Sequence, residues 1–558
     1  MRTPLARRAA AARDAVLHRV LRVPGEAQPY VREDDLAAPM RDGVSLLADR
    51  YVPQGSTGPQ PVVLVRCPYG RRGLLGQVFA IPLALRGFQV LVQSTRGTFG
   101  SGGEFRPFCH EQEDGLDTLE WVRAQPWCDG RVATVGASYF GHTQWAVAPY
   151  ADPPLAASCL DITASRVTAA FYTDGVPNLQ NALGWTQSIG TQERGVLPPL
   201  VPNLRHALLM RRALRTRPLQ AADVTVAGSP VQFWRDFCEH AGPGDGHWVQ
   251  ADHQDADLAA VPPTSMVSGW WDLFAAEQLR DFTRLQRAGK DVRITVGPWM
   301  HGEPPQIAEI VASSVRWLDR HLDGVDDDPG RAPVRLYLQG ADRWLDLATW
   351  PPTESTATAF HLQPGGGLDT APPTAEQAAS TFVYDPADPT PGVGGPLLFR
   401  PAKQVDNAAV EARADVVTFT GPVLTAPLDL VGELSAVVHV RTQLPHTDVF
   451  VRICDVDAQG RSLNVADGIR GLTPDTADAA PDADGVREVA VSLFPTAYRV
   501  PAGHRLRVQV SGGAFPRYRA NPGTGEPFAG AVSGTPNRIE VLHDARRPSR
   551  VVLPVLGP

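Results

Sequence analysis

No apolar run in this 558-residue chain approaches the ~20 residues needed to cross a bilayer, which excludes a membrane-spanning helical protein and a membrane partner. Lysine is nearly absent, at positions 290 and 403 only, so basic charge rests on arginines that are scattered and form no single stripe. With a formal net charge of −8, that pattern opposes attraction to a phosphate backbone and excludes nucleic acid as a partner. The six cysteines (Cys67, Cys109, Cys128, Cys159, Cys238, Cys454) lie far apart. They include no C-x-x-C and no His/Cys cluster at metal-ligand spacing, so buried thiols are expected, not a disulfide frame or a metal centre. The first 28 residues are rich in Arg and Ala and lack the apolar core of about 7–15 residues that marks a secretory signal. A reducing, cytoplasmic setting is expected. Residues 7–23 fit either an amphipathic helix lying on the body of the protein or a frayed extension.

What is present is ordinary for a globular protein: 43% hydrophobic and 20% charged residues, which excludes disordered, fibrous and coiled-coil classes. At about 100–200 residues per domain, the length implies two to four domains. Gly (51) and Pro (52) recur without a period, as in chains with many turns and short strands. From residue 44 to 298, short β-branched runs at 62–65, 88–92, 132–135, 158–162, 265–267 and 292–296 alternate with helical patterns such as 111–123 and 274–288. This alternation predicts an open, mostly parallel α/β sheet. The strand pattern lapses between 162 and 261, where aromatic residues, Leu and Arg at helical spacing predict an inserted helical cap. An acidic, turn-rich linker at 323–333 follows. Beyond it, alternating segments at 334–338, 435–440, 449–453, 487–493 and 505–510 predict a β-sandwich or jelly roll. Residues 473–484 form a solvated loop. No internal repeat is present, and nothing in the sequence sets an oligomeric state.

The chemistry concentrates at three strand ends. Gly136-Ala137-Ser138-Tyr139-Phe140-Gly141 follows the 132–135 run and opens a helix-compatible stretch, the strand, tight turn and helix that lift a serine hydroxyl above a sheet edge. The second glycine is displaced by one position from strict G-x-S-x-G, so a serine that merely caps the helix stands as the alternative. Asp272 falls just past the 265–267 run and His301 on the loop after 292–296. Ser, Asp and His therefore follow one another in the chain order this sheet type requires of a nucleophile, orienting acid and base. His142, one turn beyond Ser138, is expected to pack or hydrogen-bond, and His253 lies in a polar Asp-rich loop. The Tyr139 N–H is one oxyanion donor. The loop at 66–70 has no His-Gly-Gly run to supply the second; Tyr69 either offers its phenol or packs in the turn.

At these residues the chain resembles the cocaine-esterase-like hydrolases of the CocE/NonD type, relatives of X-prolyl dipeptidyl peptidases and α-amino acid ester hydrolases. The resemblance runs through 40–44 with 48–49, 66–70, 96–97 with Ser101 and Gly103, 113–127, 136–141, 269–272, 297–301 and 503–506. The block from 113 to 141 is specific enough to set the capping alternative aside. It implies an α/β-hydrolase core with an inserted helical cap and a C-terminal all-β jelly-roll domain. The expected divisions are an N-terminal extension at 1–28, core at 29–162, cap at 163–260, core again at 261–325 and jelly roll at 331–558. It implies Ser138 as nucleophile, His301 as base, Asp272 as orienter, and Tyr69 with the Tyr139 N–H as the oxyanion hole. No metal or cofactor is implied. The acid that usually precedes the Arg96-Gly97 pair is replaced by Ser94-Thr95, which leaves an ion pair there without its acid.

The expected partner is a small-molecule ester or acyl substrate. Relatives that act on free amino groups carry acidic residues soon after the triad aspartate. Here Leu273-Phe274-Ala275-Ala276 follow, so a neutral acyl group fits better. Phe171, Tyr172, Trp185, Phe233, Trp234 and Phe274 are candidates to line an aromatic acyl pocket, with core packing the alternative for each. The expectation is thus a serine carboxylic-ester hydrolase, with activated amides also within reach. The rivals are an X-prolyl dipeptidyl peptidase or α-amino acid ester hydrolase, an acyltransferase, and an inactive binding scaffold.

Overall fold

The computed structural model describes residues 14, 19–21, 23, 26–194, 204–240, 242, 245–326, 328–399 and 402–557. The expectation for residues 7–23 falls mostly outside them, although Leu21 and Val23 are buried against the core.

The first two thirds of the chain build one sheet. Its elements are β1 (Tyr30–Pro39), β2 (Ser45–Pro53), β3 (Gln60–Cys67), α1 (Leu74–Arg86), β4 (Gln89–Ser94), α2 (Glu111–Arg123), β5 (Cys128–Ala137), α3 (Tyr139–Trp145) and β6 (Ala157–Asp161). The cap helices α4 (Leu179–Thr191), α5 (Leu204–Ala213), α6 (Ala222–Ala227) and α7 (Gln232–Glu239) follow. The chain then returns through β7 (Thr264–Trp271), α8 (Ala275–Arg287), β8 (Val292–Met300), α9 (Pro304–Leu318), β9 (Val334–Leu338) and β10 (Arg343–Leu347). The strand order is β1-β2-β4-β3-β5-β6-β7-β8-β9-β10. Pairing is parallel from β4 through β9. The central strands are apolar because helices cover both faces: β7 is buried at every position and β5 from Val132 onward. Leu279, Phe282 and Leu285, spaced i, i+3, i+6, give α8 its core face. Among the described residues no helix is long and apolar enough to cross a membrane, and all six cysteines are free, five of them buried.

One strand is displaced from its expected domain. The alternation of Val334–Leu338 predicts a place in the C-terminal β domain. Instead it pairs in parallel with β8, Ile294 opposite Val334, and extends the α/β sheet with β10 as its antiparallel edge. An alternating strand fits any half-buried sheet position, and its pairing partner is settled only by packing. The β domain proper runs from Ser355–Gln363 to Arg550–Leu556. Its longest ladder pairs Leu428–Thr442 with Val486–Val500 in antiparallel register. Alternate residues of that ladder, Leu434, Ala436 and Val438 against Val489 and Val491, point into its own apolar core.

Arg96 also departs from expectation. Lacking an acid beside it in sequence, it pairs with Asp114 of α2 at 2.5 Å and with Asp42 at 2.7 Å, so the ion pair is rebuilt from distant residues.

Candidate active site

The turn after β5 holds Ser138 at φ 60°, ψ −122°, a backbone conformation that side chains other than glycine rarely adopt. It costs of order 1–3 kcal/mol and persists only where the surroundings enforce it. Here the Ser138 N–H donates to the Asp161 carbonyl at 3.0 Å, and the Ser138 carbonyl accepts from the Gly141 and His142 N–H groups at 2.9 and 3.0 Å. The Gln144 side chain donates to the carbonyls of Gly136 (3.0 Å) and Cys159 (2.9 Å), tying the elbow to two strands. The displaced glycine has a steric cause. A Cβ at Gly136 would stand 2.4 Å from the Phe140 Cβ, and one at Gly141 would stand 2.4 Å from Thr163, so the close approaches fall at these two positions.

Asp272 follows β7 and His301 follows β8. His301 Nε2 lies 3.0 Å from Ser138 Oγ, and its Nδ1 lies 2.8 Å from Asp272 Oδ2. The fully buried Asp272 also accepts the Phe274 N–H on Oδ1 at 2.9 Å. A carboxylate facing Nδ1 keeps the proton there, which leaves Nε2 as the acceptor for the serine proton. The His301 loop is held in turn: Gln306 accepts the Gly302 N–H at 2.8 Å, and Glu303 takes the Met300 N–H at 3.2 Å. Lys403, from beyond the sheet, pairs with that same Glu303 at 2.7 Å.

Two hydrogen donors flank the elbow. The Tyr139 N–H opens α3 and has no intrahelical acceptor. Its phenol is committed elsewhere, donating to Glu111 Oε1 at 2.8 Å and accepting the Phe108 N–H at 3.0 Å. Glu111, pushed up by burial, is ion-paired to buried Arg66 at 3.1 Å, so this chain of contacts braces the helix that carries the amide. The Tyr69 ring packs against Tyr139 and Phe140, with centroids 6.4 and 5.7 Å apart. Its oxygen accepts the Trp185 indole N–H at 3.1 Å. Among the described residues no acceptor takes the Tyr69 O–H proton. Burial raises its pKa, so the phenol stays protonated, and the donation from Trp185 makes it a stronger donor.

The aromatic candidates separate. Trp185 stacks near Tyr139 (6.0 Å) and meets Phe171 (5.7 Å) and Phe233 (4.5 Å), and Phe274 lies 5.8 Å from the His301 ring. Tyr172 and Trp234 serve the cap itself. The Tyr172 hydroxyl donates to the His240 carbonyl at 2.8 Å, and fully buried Trp234 donates its indole N–H to the Gln220 carbonyl at 3.1 Å. Helical spacing places an aromatic residue on a buried face without saying which layer it meets. Phe108, stacked 5.3 Å from Trp185, and Leu398, packed on the same cluster from the C-terminal part of the chain, are neighbours the sequence did not single out. No local pattern marks them.

The two other histidines near the elbow are packing residues. His142 is fully buried, its ring edge-on to Phe108 at 4.9 Å. His253 is held by the Tyr150 hydroxyl at 3.3 Å, and burial lowers its pKa to about 4. A histidine depressed on folding supplies stability above its unfolded value near 6.5 that is lost as pH falls toward 4. Between those values the unfolded chain carries one proton more at this site, worth about 1.4 kcal/mol per pH unit. His253→Gln is therefore expected to flatten the pH dependence of the urea midpoint below pH 6.5. An unchanged slope would assign the acid sensitivity to other groups.

Comparison with known proteins adds the following. Residues 42–303 match the X-Pro dipeptidyl-peptidase (S15 family) pattern, and residues 324–552 match the X-Pro dipeptidyl-peptidase C-terminal non-catalytic domain. The chain is 31% identical to cocaine esterase from Rhodococcus sp. (strain MB1 Bresler), over 94% of this chain and 99% of that protein. Among solved structures, an aminopeptidase from the marine sediment archaeon Thaumarchaeota archaeon superposes with a TM-score of 0.78 at 22% identity, covering 96% of this chain and 99% of the other. An α-amino acid ester hydrolase superposes with a TM-score of 0.77 at 22% identity, covering 95% and 97%. At that identity the two structures speak for the shared fold alone.

Proposed function

The chain belongs to the cocaine-esterase-like hydrolases of the CocE/NonD type, and on that premise we propose that it cleaves small-molecule carboxylic esters through Ser138, His301 and Asp272. The observation that carries this reading is the continuous relay from Ser138 Oγ through both ring nitrogens of His301 to Asp272, at 3.0 and 2.8 Å. Ser138 Oγ attacks the ester carbonyl while Nε2 takes its proton. The carbonyl oxygen, now an alkoxide, receives hydrogen bonds from the Tyr139 N–H and the Tyr69 hydroxyl. Collapse expels the alcohol with the proton from His301 and leaves an acyl-serine. Water, deprotonated by the same imidazole, then releases the acid. Six free thiols agree with a reducing, cytoplasmic setting.

Two observations favour a neutral acyl group over a free amine. Phe274 occupies the place beside His301, and the first acid after Asp272, the buried Glu277, is already neutralised by Arg166 at 2.5 Å and Arg280 at 3.1 Å. The test is a matched pair of p-nitrophenyl esters, one with a free α-amine and one with that amine replaced by hydrogen. The neutral ester should turn over with the higher kcat/KM; turnover only of the free amine would favour the amino acid ester hydrolase or dipeptidyl peptidase reading.

Tyr69→Phe removes one oxyanion donor and keeps the ring packing. It is expected to lower kcat by about 10²–10³ with little change in KM. Steady-state kinetics decides, and an unaltered kcat would shift that donor role to another group.

A further inference from the structure

One ion pair beside the triad joins residues 100 positions apart in the chain. Lys403 Nζ, from the C-terminal β domain, meets Glu303 Oε1 at 2.7 Å, two residues after His301. We propose that Lys403 is a positioning residue for ester cleavage: acting through Glu303, it fixes the turn that aims His301 at Ser138. The inference rests on the ester-hydrolase reading above and adds to it a part for the C-terminal β domain in the aim of the base.

Three observations carry it. The first is where Glu303 spends its polar atoms. Its N–H donates to the Met300 carbonyl at 3.2 Å and its Oε2 accepts the Met300 N–H at 3.2 Å, so main chain and side chain close the same turn. His301 and Gly302 are the two residues inside that turn, and Gly302 sits at φ 70°, where a residue without a Cβ is at ease. The Glu303 carbonyl accepts the Ile307 N–H at 3.0 Å and so begins the bonding of α9. The contact with Lys403 therefore orients a carboxylate whose other oxygen holds the residue before His301. The second observation is how Lys403 is itself held. Lys403 and Gly395 exchange backbone hydrogen bonds at 3.0 and 3.3 Å. Buried Asn464, on the strand Ser462–Leu472, donates Nδ2 to the Lys403 carbonyl at 3.3 Å and accepts the Val405 N–H at 2.7 Å. Lys403 thus stands on the core of the β domain. Its φ is 120°, in the region that favours glycine. A backbone of that kind is costly for a residue with a Cβ and collects at functional sites.

The third observation is exposure. The Lys403 side chain is 43% exposed and that of Glu303 13%. An ion pair so open to water adds little to global stability, whereas displacing a reacting group by about 1 Å can cost about 10²-fold in rate. The consequence of the pair falls on the geometry of His301 and not on the folded state. Gln306, which accepts the Gly302 N–H at 2.8 Å, lies on α9 and moves with the turn. Lys403 ties turn and helix together to a second domain.

The test compares Lys403→Met, which keeps the stem and removes the charge, with Lys403→Arg, which keeps a cation within reach of Glu303. On a neutral p-nitrophenyl ester, Lys403→Met should lower kcat about 10-fold and leave KM within about twofold, and fluorophosphonate labelling should slow by the same factor. Lys403→Arg should recover roughly half of the wild-type kcat or more, since a single contact to Oε1 suffices. Glu303→Ala should lower kcat at least as far as Lys403→Met. Adding Lys403→Met to Glu303→Ala should change nothing further, because the lysine acts only through that carboxylate. Melting temperatures should barely move, and if Lys403→Met does not fold, Lys403→Gln takes its place in every comparison. If wild type turns over the ester but Lys403→Met keeps kcat within about twofold, raises KM alone, or adds its full loss to that of Glu303→Ala, the proposal is overturned and the ester reading stands. A wild type that neither labels nor turns over esters would defeat the ester reading, and the proposal with it.

Discussion

Ser138→Ala is expected to reduce kcat/KM for a neutral p-nitrophenyl ester by about 10⁶-fold and to abolish covalent labelling by a fluorophosphonate. The effect is this large because no other group at the elbow offers an attacking oxygen: the Tyr69 hydroxyl is kept protonated by burial, and the Tyr139 hydroxyl donates to Glu111. Residual turnover would come from the oxyanion donors acting on bound water. The substitution removes one oxygen and leaves the backbone hydrogen bonds of the turn, so thermal stability should change little. A labelled, active Ser138→Ala protein would refute the nucleophile assignment outright.

Asp272→Asn should lower kcat by about 10⁴ while leaving KM nearly unchanged. The cause is directional. Asp272 Oδ1 is held by the Phe274 N–H at 2.9 Å, so an asparagine places its carbonyl oxygen there and turns its NH₂ toward His301 Nδ1. Nδ1 must then accept, the ring proton moves to Nε2, and the imidazole can no longer take the serine proton. Fluorophosphonate labelling should become slow without disappearing, which separates this variant from Ser138→Ala. A loss of less than about tenfold would contradict the orienting role. It would direct attention to Asp161, a buried carboxyl at the end of β6, which burial holds well above its usual range.

Much of this site was legible in the sequence because strand–turn–helix boundaries are local. The β-branched run before Ser138 and the runs before Asp272 and His301 mark three strand ends, and the parallel sheet carries all three to one edge. The aromatic surroundings of the elbow were less legible. Phe171, Trp185 and Phe233 meet beside the elbow, whereas Tyr172 and Trp234, of similar spacing and chemistry, turn into the cap and spend their polar atoms on backbone carbonyls. Periodicity tells which face of a helix is buried, but not what that face meets.

The sequence by itself determined the α/β order, the turn that exposes Ser138, and the succession of Ser138, Asp272 and His301 at three strand ends, since backbone preference and apolar period act over a few positions. Only the tertiary structure decided the rest: the 3.0 Å approach of residues 163 positions apart, the capture of Val334–Leu338 by the α/β sheet and the Lys403–Glu303 anchor. Each depends on segments remote in the chain packing face to face, and close packing selects those neighbours by shape and burial over the whole molecule, which no local window of residues encodes.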